Sequence, residues 1–366
     1  MIGILNCKLG DVIKFGNGKA RPSNEGATPI YGGNGILGYS ADANYAGETI
    51  VIGRVGAYCG ATYYEDHPIW VSDNALAAKP KDKNNAKYLF YFLKHLDLNQ
   101  HAQGSSHPLV TQTLLNSIDV EIIEDPDEQK IIAAVLSSLD DKIDLLHRQN
   151  QTLEAMAATL FRQWFVEEAQ EDWEEAVLDD VITVKGGTTP STKEPEYWDG
   201  TIHWTTPRDL SNHNSIFLFD TERKITEKGL SQIGSGLIPV GSVLLSSRAP
   251  IGYLAIADIP AAINQGYIAI VCDKLVSNYF IYLWCKANME AIKNAGNGST
   301  FEEISKSNFK ALEVVIPPTG KLKEFDDVVS PSFEKIRTNK MQIRTLEKLR
   351  DTLLPKLMSG EVRVAA

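Results

Sequence analysis

The sequence predicts an α+β fold: two globular mixed α/β domains in pseudo-two-fold arrangement, separated by an antiparallel coiled coil of two long helices. Three observations carry this expectation. The second half of the chain restates the first at a shift of about 194 residues, each half ends in a long stretch of heptad spacing, and the two stretches carry opposite net charge. With 366 residues, 43% of them apolar, the chain can bury two or three cores, and two is the starting expectation.

The first globule is read over residues 1–125. It opens with LGDVI (9–13), which returns as LDDVI (178–182) at a shift of 169. ETIVIG (48–53) reads as a strand, and the turn GRVGAYCGA around Arg54 falls on SRAPIGYLA around Arg248. YLFYFL from Tyr88 is helical in composition and matches YLWCKA from Tyr282. The clearest copy is GSSHPLVTQTLLNSIDVEI (104–122), which aligns without gaps on GSTFEEISKSNFKALEVVI (298–316). Because the shift grows from 169 to about 194, the second globule, 171–320, carries an insertion of about 25 residues.

Residues 126–170 form the first long helix in this reading. Leu139, Ile143, Leu146, Asn150, Leu153, Ala157, Leu160 and Trp164 recur at steps of four and three, a heptad seam with one polar member. Residues 321–366 supply the second long helix and a tail, with Ile336, Asn339, Ile343, Leu346, Arg350, Leu353 and Leu357 in its seam and Pro355 expected to kink or end it. The first segment holds four Lys/Arg against eight Asp/Glu and the second ten against seven, which favours packing of one on the other. Full antiparallel overlap puts Asn150 opposite Asn339, and a buried Asn pair is a device for fixing helix register.

The stretch PIYGGNGILGYS (29–40) spells G-x-G-x-x-G from Gly33 to Gly38. A dinucleotide site needs a buried strand before that motif, a helix after it and an acidic residue about 20 positions on. Pro29 leaves a stub of strand, YSADANYAG shows turn chemistry, and VGAYCGATYY (55–64), about twenty positions past the last glycine, holds no carboxylate before Glu65, so a glycine-rich surface loop is expected. The four cysteines, Cys7, Cys59, Cys272 and Cys285, are too scattered for a metal pair or a disulfide framework and read as buried free thiols. The chain shows neither signal-peptide features nor a membrane span, and a cytoplasmic location is expected. A net charge of −11 argues against indiscriminate polyanion binding.

The phrases YGGNGILGY, ETIVIGRVGAYCG, IHWTTPRDL, SVLLSSRAPIGY, NQGYIAI and LLPKLMSGEV, their order, and the duplicated plan resemble the DNA-specificity (S) subunit of type I restriction-modification systems. The resemblance spans nearly the whole chain. It implies two target recognition domains, 1–125 and 171–320, each reading half of a split double-stranded DNA site, with the helices spacing them and docking two methyltransferase subunits. It allows two restriction/translocase subunits in the full complex. It implies no cofactor in this chain, with S-adenosylmethionine, ATP and Mg expected in the partner subunits. A helix of about 37 residues rises roughly 55 Å, which suits half-sites about one DNA turn apart.

Reading DNA needs side chains with paired donors or acceptors on loops that reach a groove. Arg54 and Arg248, at equivalent places in glycine-rich turns, suit a guanine edge or a phosphate, as does Arg208 in TTPRDL; an arginine paired with a surface carboxylate is the plain alternative. Asn34, Tyr58, Thr206 and Ser247 sit in the same kinds of loop. Ser105, Ser106 and His107, and Asn297, Ser299 and Thr300, offer hydroxyls and amides to phosphates. Thr111 and Ser305 read as helix caps. Tyr39, Tyr63 and Tyr64 are of a type that stacks on DNA, although core packing is the default.

No catalytic constellation is visible. The only Pro-Pro, in IPPTG, lacks the preceding Asn or Asp of an adenine methyltransferase; no His or Cys stands at metal spacing, and no Walker motif or nuclease-like acid cluster occurs. A non-catalytic subunit is therefore expected. The alternatives are a nucleotide-binding enzyme using the Gly33–Gly38 loop and a pure protein-interaction scaffold.

Overall fold

The computed structural model describes residues 3–104, 108–211, 215–248, 250–296 and 302–364. The chain divides into two compact units, one of Met1–Asp144 with Ile343–Ala366 and one of Leu145–Gln342. Two long helices, α4 (Pro126–Arg162) and α11 (Thr319–Met358), therefore each contribute to both units, where the sequence reading set them apart as separate segments.

In unit 1, β1 (Ile4–Lys8) leads through the single turn α1 (Leu9–Val12) to β2 (Ile13–Asn17). There follow β3 (Thr28–Gly32), β4 (Gly35–Ser40), β5 (Thr49–Gly53), β6 (Thr62–Glu65), β7 (Trp70–Val71), β8 (Ala75–Pro80), the helices α2 (Ala86–Leu96) and α3 (Gln112–Ser117), and β9 (Asp119–Ile123). The strands make a sheet in the order β2-β8-β5-β6, a three-stranded sheet β4-β3-β7 and a ribbon β1-β9. All five residues of β5 are buried, as its unbroken apolar run requires. α2 is capped by Asn85 and α3 by Thr111, whose side chains accept from Tyr88 N and Leu114 N. Ile132, Ala133 and Leu136 of α4 share the core with Leu357 and Met358 of α11. Tyr91 and Arg350 both donate to Asp140, at 2.8 and 2.7 Å, tying α2 and the end of α11 to α4.

Unit 2 repeats the plan. β10 (Glu174–Val177), α5 (Leu178–Val181) and β11 (Thr183–Gly186) are followed by β12 (Trp198–Thr205), α6 (Pro207–Ser211), β13 (Phe217–Leu218), β14 (Arg223–Ile225) and α7 (Glu227–Leu230). Next come β15 (Val243–Ser247), β16 (Ile251–Ala257), β17 (Ala261–Ile263), β18 (Tyr267–Val271), α8 (Asn278–Ala287), α9 (Met289–Asn294), α10 (Lys306–Lys310) and β19 (Glu313–Ile316). The sheet orders are β11-β18-β15-β16-β13, β14-β12-β17 and β10-β19. The repeated LGDV/LDDV phrase has a physical reason: Asp11 and Asp180 accept from the amides of Lys8 and Val177, at 2.9 and 3.2 Å, closing the first turns of α1 and α5. Ser277 caps α8 and Ser305 caps α10.

Within unit 2 the end of α4 and the start of α11 run side by side in opposite sense, Asn150 meeting Asn339 and Trp164 meeting Phe325. Asn339 is fully buried; its amide donates to Asn150 Oδ1 and Gln149 Oε1, both at 2.8 Å, while its own Oδ1 has no partner among the described residues. Pro355 does not end α11 at its own position. The helix continues to Met358 and stops before Gly360, whose φ of +72° suits a C-terminal cap. A proline forgoes its own amide bond and crowds the carbonyl four residues back, but the ladder can resume with the amides that follow.

Candidate nucleic-acid interface

The G-x-G-x-x-G stretch is a β-hairpin. Gly33 and Asn34 are the turn between β3 and β4, with Gly32 opposite Gly35, so the upstream strand is five residues long and a second strand replaces the expected loop. Gly35 has φ +81°, the conformation that favours glycine there. Without a helix after the turn there are no helix-terminal amides to hold a pyrophosphate, and the nucleotide reading loses its structural basis. Asn34 is exposed at the tip.

That tip lies against the turn after β5. A Cβ on Gly33 would sit 3.7 Å from Val55 O and 3.5 Å from Asn74 O. The Arg54 amide donates to Asn74 O at 3.0 Å, the Arg54 carbonyl accepts from Val110 N at 3.0 Å, and Gly56 N donates to Pro108 O at 3.3 Å. Asn34, Arg54, Tyr58 and the segment entering α3 thus converge at one end of unit 1. Arg54 is half-buried, and its Nε is buried with no hydrogen-bond partner among the described residues. Tyr58 is exposed. Tyr63 packs on Tyr31 and Tyr64 donates to Glu48, so these two serve the fold, whereas Tyr39 is exposed.

Unit 2 gathers the corresponding parts. Tyr267, whose burial pushes its phenol far up so that it stays a neutral donor, gives its hydrogen bond to Thr206 O at 2.7 Å. Ser247 N donates to Gly266 O at 2.8 Å, and Ile304 N to Ser247 O at 3.0 Å. Arg248 Nη1 lies 3.7 Å from Glu303 Oε2, and Arg208 Nε 3.5 Å from Glu222 Oε2. These two arginines therefore meet the plain alternative, as partly or mostly exposed ion pairs of small energetic value.

Three expectations need correction. Arg54 and Arg248 are not equivalent: the bonds Val110 N to Arg54 O and Ile304 N to Ser247 O, and the bridges of Val55 with Leu109 and Arg248 with Glu303, pair Arg54 with Ser247 and Val55 with Arg248. Ser247 is 3% exposed and spends its backbone on the framework, so its hydroxyl faces no groove. Thr206 N and Oγ1 both turn to Asp209 Oδ2, at 2.7 and 3.3 Å, as the start of α6 requires. Ser105, Ser106, His107, Asn297, Ser299 and Thr300 lie outside the described residues.

Sequence reasoning passed over Arg21, whose Nη2 donates to Leu37 O at 2.9 Å and so holds β4. A loop cation carries no periodic signal that finds it. All four cysteines are free thiols, Cys59 and Cys285 buried as expected and Cys7 and Cys272 only half-buried. Among the described residues, Glu65, Asp66 and His67 are the one acid–histidine group close enough for a shared ion, and they are surface neighbours in sequence. No described helix is long and apolar enough to cross a membrane.

Residues 3–155 and 170–348 match the type I restriction modification DNA specificity domain family. The MjaIX specificity subunit of Methanocaldococcus jannaschii, a type I restriction enzyme subunit, is 39% identical over 193 residues, 52% of this chain and 45% of that protein. The HindI specificity subunit of Haemophilus influenzae is 24% identical over 336 residues, covering 71% of this chain and 72% of that protein. The crystal structure of the type I restriction-modification S subunit from M. genitalium superposes with a TM-score of 0.71 at 18% identity, over 98% of this chain and 96% of that one, a likeness of fold. With the specificity domain matched twice, once over the start and once over the body of the second repeat, the chain belongs to the type I restriction-modification DNA specificity family.

Proposed function

We propose that this chain is the non-catalytic subunit that reads a two-part DNA target, each unit addressing one half, and that its long helices dock methyltransferase subunits, with restriction/translocase subunits joining in the full complex. S-adenosylmethionine, ATP and Mg belong to those partners in this reading, and base flipping for methyl transfer is theirs. One observation carries the proposal: two units share a hydrogen-bonded framework but place different side chains at the same end, Asn34, Arg54 and Tyr58 in one and Arg208 and Arg248 in the other. A duplicated frame with divergent tips is what separate readout of two half-sites needs.

Affinity of the isolated chain is expected to be low. Residues 1–125 carry ten Lys/Arg against thirteen Asp/Glu, and 171–320 carry twelve against nineteen, so few phosphates are neutralised. The test is exchange of residues 1–125 with those of a relative, and then modification-site sequencing of a host carrying the chain and its methyltransferase. Half of the target should change and half should stay. In the same assay Arg54→Ala should cost about 1–3 kcal/mol of target binding and Arg248→Ala less, because Arg248 already has a carboxylate beside it. A pure scaffold predicts a target indifferent to all of these changes.

A further inference from the structure

We propose that the β3–β4 hairpin of unit 1 recognises thymine methyl groups in the major groove of its half-site; this rests on the DNA-reading function proposed above. Ile36, Leu37 and Tyr39 on β4, with Val55 and Tyr58 on the adjoining turn, are large apolar side chains between 40% and 58% exposed. Ile36 and Leu37 follow the tip whose Gly33 lies against Val55, beside Arg54, while Tyr39 stands further along β4, opposite Pro29. In unit 2, among the described residues, no large apolar side chain is exposed on α6, on β14 or in the turn after β15.

The hairpin is built to present these groups. Its register slips where Ile30 faces Gly38 and Tyr31 faces Ile36, leaving Leu37 as the extra residue of a bulge. The bulge carbonyl is taken by Arg21 Nη2. The Leu37 side chain rests on the bare face of Gly32, where a Cβ would come within 2.4 Å of Leu37 Cδ1. β4 is the edge strand of its sheet, a sheet edge can enter the major groove, and apolar contact there distinguishes the thymine methyl from the other base edges. Arg21, bound to Leu37 O, and Arg54, next to Val55 in the chain, bring positive charge to the apolar group, which suits a phosphate-lined groove rather than an apolar protein partner.

The experiment uses the complex of this chain with its methyltransferase and duplexes carrying the target found by modification-site sequencing. Thymines in the half assigned to unit 1 are replaced by deoxyuridine, which removes only the methyl. Binding should weaken about four-fold for each contacted methyl. The same replacement in the other half should leave it unchanged, and Ile36→Ala/Leu37→Ala should abolish the difference between thymine and deoxyuridine. A unit 1 half-site without thymine on either strand, or equal binding of both duplexes by a complex that still selects its target, overturns the inference and leaves the reading intact. Loss of methyltransferase association in the hairpin variant with thymine discrimination retained would assign the hairpin to a protein contact. A complex indifferent to DNA sequence refutes the reading itself.

Discussion

Between β3 and β4 unit 1 places two residues, Gly33 and Asn34; between β12 and β14 unit 2 places residues 206–222, with a helix, a short strand and the exposed Arg208. Beneath these unlike tips the frames agree. Lys19 N donates to Val71 O and Thr188 N to Ile263 O, both at 3.0 Å, and the strands β7 and β17 hold the same place beside β3 and β12. Backbone hydrogen bonds fix where a tip stands, while its length and side chains stay free to differ.

The largest effect should come from the shared frame. A Cβ on Gly18 would lie 1.7 Å from Ser72 O, and one on Gly187 1.9 Å from Ile263 O. Both obstacles are backbone, so Gly18→Ala and Gly187→Ala should each destabilise by about 2–3 kcal/mol in denaturant titration. Hydrogen exchange should show the loss in the unit that carries the change; equal loss in both units, or none, would break the comparison.

A smaller effect is expected where the halves differ in the helices. At the repeat shift, Asn150 and Asn339 correspond to Ile343 and Leu146, which are buried and apolar. Asn339→Leu leaves the half-buried Asn150 carbonyl without its donor, while exposed Gln149 can turn to water, and should cost about 1–2 kcal/mol. The double change Asn150→Leu/Asn339→Leu should recover most of that cost, since a matched apolar pair needs no donor. Additive costs in the double-mutant cycle would remove the pair's claim to set register.

The smallest effect concerns pH. His203 on β12 stands where the sheet register puts Pro29 in unit 1, so the titration belongs to unit 2 alone. Burial lowers its pKa from 6.5 against the opposing pull of Asp220, and Thr221 Oγ1 lies 3.1 Å from its Nδ1. The unfolded chain then binds the proton more readily, so this contribution is complete above about 6.5 and is lost as pH falls toward the depressed value. Melting temperature measured from pH 7 to 5 should fall less steeply in His203→Gln than in the parent; identical slopes would exclude the effect.

Much of the frame was legible in the sequence. β5, α2 and α8, the caps Thr111 and Ser305, and the meeting of Asn150 with Asn339 follow from periodicity, capping chemistry and the repeat. The tips were less legible. β4 has the burial pattern exposed, exposed, half-buried, exposed between its ends, so its bulge erased the alternation that marks a strand. Arg54 and Arg248 were aligned one residue out, because a gapless shift cannot register the single-residue slip that only the hydrogen bonds reveal. Side-chain burial at Ser247 and the capping duty of Thr206 are likewise tertiary facts.

Because unit 1 draws Leu357 and Met358 into the core begun by Leu9 and Ile13, that core is completed only after residues 357 and 358 have left the ribosome. Unit 2 is one continuous run and needs nothing beyond residue 342 to complete its own core.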